Sequence, residues 1–421
     1  MNDPTTSPLP TAADIDQAVA NVRTVVNRSP LQYNERLSEF TGARVLLKRE
    51  DLQPVRSYKL RGAYNLISSL NEEERARGVV CASAGNHGQG VAWTCHQLGI
   101  KAKVFVPSGT PRQKRDRMVQ LGGEHVELII GGESYDDAAA AATAEAARTG
   151  ATKVHAFDDT RTIVGQGTIA PEIVDQLGYA PDVVAVPVGG GGMYAGCLTW
   201  FRENCPQTRV IGVEPSGAPC LAVAVRSGGP ITLENIDTFV DGAAVQRAGA
   251  LPTRITAELG GELIDVPEGQ ICTEMLDLYQ TDGIITEPAG ALAPASLGRQ
   301  LMTHHQQTIV AIVSGGNNDV SRYAEIIERS LIHQGRKHYF LVNFTQEPQA
   351  LRRFLDETLG PDDDITLFEY TKRNNRETGP ALVGIELGDA SDLAGLLTRI
   401  EQGTTNVERI DPESPFYRYF I

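Results

Sequence analysis

Val183-Val184-Ala185-Val186-Pro187-Val188-Gly189-Gly190-Gly191-Gly192-Met193 runs from an apolar stretch straight into four glycines, and helix-type sequence follows. A Val-rich run without polar alternation is how a strand buried on both faces of a parallel sheet reads. Four glycines at the start of a helix make a dense row of backbone N–H donors, an arrangement that grips a phosphate. The bland alternative, a flexible turn, is out of place between a buried strand and a well-formed helix. No Lys-Ser/Thr follows, so this is not the loop of nucleotide hydrolases. It also lacks the spacing and the partner acid of a dinucleotide fingerprint.

The same pattern extends outward in both directions. Strands are predicted over 44–48, 79–83, 102–106, 126–130, 154–157, 183–188, 210–214 and 308–313, with helices over 86–98, 112–121 and 134–149 between them. The last helix is Ala-rich and stops at Gly150. Alternation of this kind specifies an α/β layer architecture. Its ligands sit at the C-terminal ends of the strands. After a helix over 320–332 the character changes. Strand 338–345, helix 347–359, strands 365–372 and 380–387, helix 391–402 and strand 407–410 follow, a split βαβ order. Two domains are therefore expected, 15–332 and 338–421, joined through a polar segment containing Gly335.

Composition narrows the function. A length of 421 residues exceeds one ordinary core. A net charge of −15 disfavours binding to nucleic acid, although local basic groups can still hold one small phosphate. No apolar stretch approaches the roughly 20 residues of a membrane helix. The polar N-terminus has no charged segment followed by an apolar one, so a cytoplasmic protein is expected. None of the six cysteines forms a C-x-x-C pair, and Cys81, Cys95 and Cys197 read as buried small residues.

Three further segments lie where strands end or helices begin. Ser57-Tyr58-Lys59-Leu60-Arg61-Gly62-Ala63 opens a helix. Lys59 taken alone is a solvated lysine, yet a lysine also forms a Schiff base with an aldehyde cofactor. Ser83-Ala84-Gly85-Asn86-His87-Gly88-Gln89-Gly90 joins a strand to a helix whose N-terminus suits a carboxylate. A tight capped turn explains Gly85 and Asn86 but not the whole run, and His87 alone is as well a packing residue. Ser314-Gly315-Gly316-Asn317-Asn318 follows an apolar strand, where the Ser314 hydroxyl either meets a ring nitrogen or caps the next helix. Glu287-Pro288-Ala289-Gly290-Ala291 adds an acid whose bland reading is an ordinary helix-start residue. His304-His305 reads as a solvated pair.

Taken in order, these motifs resemble the fold-type II pyridoxal-phosphate enzymes, and more closely the threonine and serine dehydratases, over roughly residues 15–330. Tyr58 stands where Phe is frequent in that family. The C-terminal part resembles the ACT-like, ferredoxin-like βαββαβ regulatory domain of the biosynthetic, isoleucine-inhibited threonine dehydratases, present here in one copy. The resemblance implies pyridoxal 5'-phosphate carried on Lys59. Asn86 would bond its 3-oxygen, the amides of Gly189, Gly190, Gly191, Gly192 and Met193 its phosphate, and Ser314 its pyridine nitrogen. Ser83, Gly85, Asn86 and His87 would surround the substrate carboxylate. It also implies L-threonine, and L-serine, as substrates, isoleucine as inhibitor, and a homo-oligomer, tetramer or dimer.

In the implied chemistry the freed Lys59 amine removes the α-proton, and the β-hydroxyl leaves as water. Its proton comes from the cofactor phosphate or from the Lys59 ammonium. The enamine then hydrolyses to 2-oxobutanoate and ammonia. Cation-binding relatives carry an acid after the segment matching Gly212-Val213-Glu214-Pro215. Here Cys220 stands at that place, so no strong divalent site is expected. Isoleucine is expected in an apolar pocket between domains, with Phe344, Leu351, Phe354, Leu355 and Phe368 as candidate linings, all of which equally suit the domain's own core. The rival readings are a serine racemase or degradative serine/threonine dehydratase of the same fold, a non-catalytic amino-acid sensor and, weakest, a nicotinamide-dependent enzyme.

Overall fold

A computed structural model describes residues 8–370 and 378–411, together with Ser414 and Tyr417. The first seven residues of the polar N-terminus, and the end of the strand expected over 365–372, lie outside the described residues. The chain divides into two units, one ending at Asp319 and one beginning at Val320.

The first unit holds two sheets. The strands of the larger one are β1 (Leu31–Tyr33), β2 (Arg44–Arg49), β7 (Val183–Pro187), β8 (Arg209–Pro215), β9 (Glu262–Val266) and β10 (Thr308–Val313). The smaller sheet contains β3 (Val79–Ala82), β4 (Ala102–Val106), β5 (Val126–Ile130) and β6 (Thr152–Lys153). Their orders are β1-β2-β10-β7-β8-β9 and β5-β4-β3-β6. All neighbours run parallel except β1, which is antiparallel to β2. Parallel order requires crossover helices on the sheet faces, and these bury β7 and β10 completely. Val184, Val186, Val310 and Ile312 pack with Ile169, Ile173, Cys197 and Phe201 from two such helices.

The expected strand over 154–157 is replaced by a turn. Val154 still donates to Val80, but beyond it the His155 ring bends the chain, Nδ1 accepting from the Phe157 and Asp158 amides at 3.3 and 2.9 Å. That bend carries Ala156 and Phe157 into the site. The unpredicted strands β1 and β9 are sheet edges. Both are half-exposed and lack the continuous apolar run of the interior strands. The Ala-rich helix Tyr135–Thr149 has the expected ends. Ser134 and Asp137 form a capping box, and Gly150 adopts φ 73°, a conformation open to glycine.

In the second unit β11 (Lys337–Thr345), β12 (Asp364–Tyr370), β13 (Thr378–Glu386) and β14 (Asn406–Arg409) form an antiparallel sheet ordered β12-β13-β11-β14. Helices Ala350–Thr358 and Leu393–Gln402 supply Phe354 and Leu396 to its core, against Phe340, Val342, Phe344, Val383 and Ile385. This is the ferredoxin-like βαββαβ arrangement. The helix Tyr323–His333, placed by the sequence reading before the change of domain, falls in this unit. Its Glu328 takes both Lys337 and Tyr339 of β11, which fastens it to the sheet.

Candidate active site

The C-terminal ends of β3, β7 and β10 deliver the three loops that the sequence singles out. The glycine loop leaves β7 and enters the helix Gly192–Asn204, with Gly191 at φ 93° as N-cap. The amides of Gly190, Gly191 and Gly192 have no acceptor among the described residues. A Cβ on Gly190 would stand 2.4 Å from the Phe157 ring, and one on Gly192 would stand 2.5 Å from Gln166 Oε1. Side chains therefore close the loop from one side, and its unpaired donors are left for an anion.

Lys59 is the first residue of the helix Lys59–Ser68. Its Nζ donates to the Ala156 carbonyl at 3.4 Å, and Gln166 Nε2 donates to the same oxygen at 3.0 Å. One bend thus joins the lysine to the glycine loop. Ser314 comes beside Lys59 through backbone pairing. The Tyr58 amide donates to the Ser314 carbonyl at 3.0 Å, and the Gly316 amide to Arg56 at 2.9 Å. The Ser314 hydroxyl bonds Ala289 O at 3.1 Å and caps no helix, since 315–319 is not helical.

Asn86 and His87 open the helix Asn86–Leu98, whose N-cap Gly85 contributes no side-chain bond. A Cβ on Gly85 would meet nothing within 4 Å, so open space lies above it. Ser83 Oγ accepts from the Gly85 amide at 3.2 Å. His87 is buried, with Nε2–H on the Val154 carbonyl at 2.9 Å and Nδ1 unpartnered. Burial, aided by the Lys59 charge, pushes its pKa down to about 3, so the ring is neutral.

Beneath the lysine helix lies a buried ionic network absent from the sequence reading. Arg61 donates to both oxygens of Glu50, at 2.8 and 2.7 Å, and to Glu172 at 3.1 Å. Lys48, fully buried, reaches Glu172 at 2.6 Å and the Ser29 carbonyl at 2.7 Å. Charges inside a strand and a helix that otherwise read as buried, Lys48 and Arg61, were its available signal. At Cys220, Sγ lies 3.4 Å from the Gly189 carbonyl. Glu214 accepts from the Leu221 and Ala222 amides at 2.7 and 2.9 Å. Glu214 is thus a helix cap. Among the described residues no cluster of three or more His, Cys, Asp or Glu suits a metal.

In the second unit, Phe344 and Phe354 belong to the core. Leu355 and Phe368 pack against that core and, with Leu351, Leu359, Asp364 and Ile365, line an open groove of about 340 Å³.

A lysine amine beside a glycine-lined anion cradle and a serine hydroxyl, all at the strand ends of an α/β unit, fits pyridoxal phosphate. Fold and site therefore define an enzyme working through an aldehyde cofactor that carries a phosphate. The sequence pattern described as pyridoxal-phosphate dependent enzyme matches residues 22–315, and that of the C-terminal regulatory domain of threonine dehydratase matches 328–420. The chain is 58% identical to the biosynthetic L-threonine dehydratase IlvA of Mycobacterium tuberculosis, over 99% of this chain and 98% of the relative. Identity to the Bacillus subtilis protein of that name is 45%, over 96% of each. Among solved structures, processed threonine deaminase isoform 2 from Solanum lycopersicum matches with a TM-score of 0.71 at 37% identity, over 76% of this chain and 95% of that one. Maize serine racemase matches with a TM-score of 0.71 at 28% identity, over 77% and 99%. The chain belongs to the pyridoxal-phosphate-dependent enzymes and, within them, to the biosynthetic threonine dehydratase family. No helix among the described residues is long and apolar enough to cross a membrane.

Proposed function

We infer that this chain deaminates L-threonine to 2-oxobutanoate and ammonia, the first committed step of isoleucine biosynthesis. The observation that carries this reading is the meeting of Lys59, the unpaired amides of the glycine loop and Ser314 at one set of strand ends. The bound cofactor supplies an electron sink for the substrate α-carbon. Lys59 would hold the cofactor through its amine, and the same amine would serve as the base for the substrate α-proton. The amides of Gly189 to Met193 would hold the phosphate. Ser314 would meet the ring nitrogen and Asn86 the ring oxygen. Ser83, Gly85, Asn86 and His87 form the carboxylate pocket, in which open space over Gly85 and the free first-turn amides do the binding. The neutral His87 ring shapes the wall.

In this reading the unit ending at Asp319 catalyses, and the unit beginning at Val320, which includes the helix Tyr323–His333, regulates. Isoleucine lowers activity by preferring one conformational state. The groove lined by Leu351, Leu355 and Phe368 suits its side chain, and Asp364 suits its ammonium group. The protein works in the cytoplasm, where six free buried thiols are at home. It acts as a homo-oligomer, dimer or tetramer, and exposed Tyr33, Phe40 and Leu52 supply apolar surface for a second copy.

The test is product analysis of the full-length protein given L-threonine or L-serine, with and without isoleucine. 2-Oxobutanoate and ammonia from threonine, suppressed by isoleucine, are expected. D-serine as the main product from L-serine, with no keto acid from threonine, would establish a racemase instead.

A further inference from the structure

Glu287 is a buried carboxyl that the chemistry above does not use. It is the N-cap of the helix Pro288–Ser296, where an acid ordinarily bonds first-turn amides, yet it makes no such bond. Its Oε1 accepts instead from Asn86 Nδ2 at 2.6 Å. Asn86 Oδ1 accepts from Asn317 Nδ2 at 2.7 Å, and the same Asn317 nitrogen donates to the Val55 carbonyl at 2.9 Å. This chain has one consistent direction. Asn317 can present only a donor to Asn86, and an ionised Glu287 only an acceptor. A flipped Asn86 would set amide against amide and oxygen against carboxylate. The second N–H of Asn86 remains for a ligand.

The backbone is shaped around these contacts. A Cβ on Gly315 would lie 2.1 Å from Glu287 Oε1 and 3.3 Å from Asn86 Nδ2. One on Gly290 would lie 2.2 Å from the Gly315 carbonyl. The Glu287 amide donates to that carbonyl at 3.2 Å, and the Ser314 hydroxyl bonds Ala289 O. One short segment, 287–290, therefore clasps Ser314 and, through its carboxylate, Asn86.

We propose that Glu287, backed by Asn317, is a positioning residue for the cofactor: it fixes the Asn86 amide so that one N–H faces the cofactor's ring oxygen, in register with Ser314. This rests on the roles given to Asn86 and Ser314 above. Burial pushes the Glu287 pKa up to about 7, and nearby Asp241 acts in the same direction. Asn86, Lys114 and the Asn317 backbone amide oppose the rise. The clasp thus changes charge near neutrality, and its ionised form accepts the more strongly.

The experiment uses the full-length protein, stripped of cofactor and titrated with pyridoxal 5'-phosphate at several pH values, following the visible band and protein fluorescence, with Tm measured alongside. Glu287→Ala is expected to weaken cofactor binding roughly tenfold, the loss expected for a hydrogen bond to a charged group, and Asn317→Ala, which removes a bond between neutral amides, about fivefold. Glu287→Gln, which keeps an acceptor, retains most of the affinity and loses its change across about pH 7. Wild-type affinity in a well-folded Glu287→Ala protein overturns the proposal. If that variant does not fold, unchanged affinity in Asn317→Ala overturns it. A wild-type protein that takes up no cofactor overturns the functional reading together with this one.

Discussion

The two units bury different things. The first encloses ionisable groups: Lys48, Glu50, Arg61, Glu214, Glu274 and Glu287 are each at most 5% exposed. The second builds its core from aliphatic and aromatic side chains, Phe340, Phe344, Phe354, Val383 and Ile385 among them. Its nearest counterpart to the first unit's ion pairs, Lys337 with Glu328, lies at the side of the sheet. Burying an ion is unfavourable unless its partners are held in place, so such pairs add little net stability over apolar packing. What they add is direction. Arg61 sits two residues beyond Lys59, and its paired bonds to Glu50 leave the lysine helix one position. The second unit has no reacting atom to aim, and apolar packing suffices.

The largest stability effect is expected where this contrast is sharpest. Arg61→Met leaves the buried Glu50 without its bonded cation and Glu172 with Lys48 alone, at a cost of roughly 3–5 kcal/mol. Removing both partners, Arg61→Met with Glu50→Leu, should recover much of the lost Tm but not of the lost turnover, because the helix is packed yet no longer aimed. Equal turnover in the double variant and the wild type would break the comparison. In the second unit Phe354→Ala should cost about 3 kcal/mol. Thermal denaturation should then show an early transition, and the response to isoleucine should fail before threonine turnover does. Simultaneous loss of both would count against separate roles.

The smallest effect concerns pH. Burial raises the Glu214 pKa to about 7, against its amide hydrogen bonds. A folded-state pKa above the ordinary value of 4.5 gives stability that is complete below 4.5 and lost as pH rises through about 7. Glu214→Gln should flatten this part of the Tm profile between those values. A profile as steep as wild type would mean that Glu214 is ionised throughout.

How much of this was legible follows from how local each feature is. The glycine loop and the helix end at Gly150 are set by neighbouring residues, and the sequence pattern locates them. Interior strands announce themselves by burial on both faces. Edge strands β1 and β9 do not, and the 154–157 strand fails because the His155 side chain bonds the backbone beyond it. Ser314 and Lys59 stand out only as parts of motifs. Glu287 reads as a plain helix-start acid because its partner, Asn86, lies 201 positions away. Asn317 meets the same residue across 231 positions. Contacts of that separation have no local periodicity to betray them.

The central claim, that Lys59 carries the cofactor at a threonine-deaminating site, is tested most directly by the visible spectrum of wild type and Lys59→Ala, recorded while 2-oxobutanoate is followed after adding L-threonine. The account predicts a visible cofactor band that changes with threonine and gives product in wild type. In the variant it predicts that the lysine-linked band is lost and turnover falls at least about 10³-fold. A wild-type protein without band or product even with added pyridoxal 5'-phosphate, or a Lys59→Ala variant that turns over threonine normally, would contradict it.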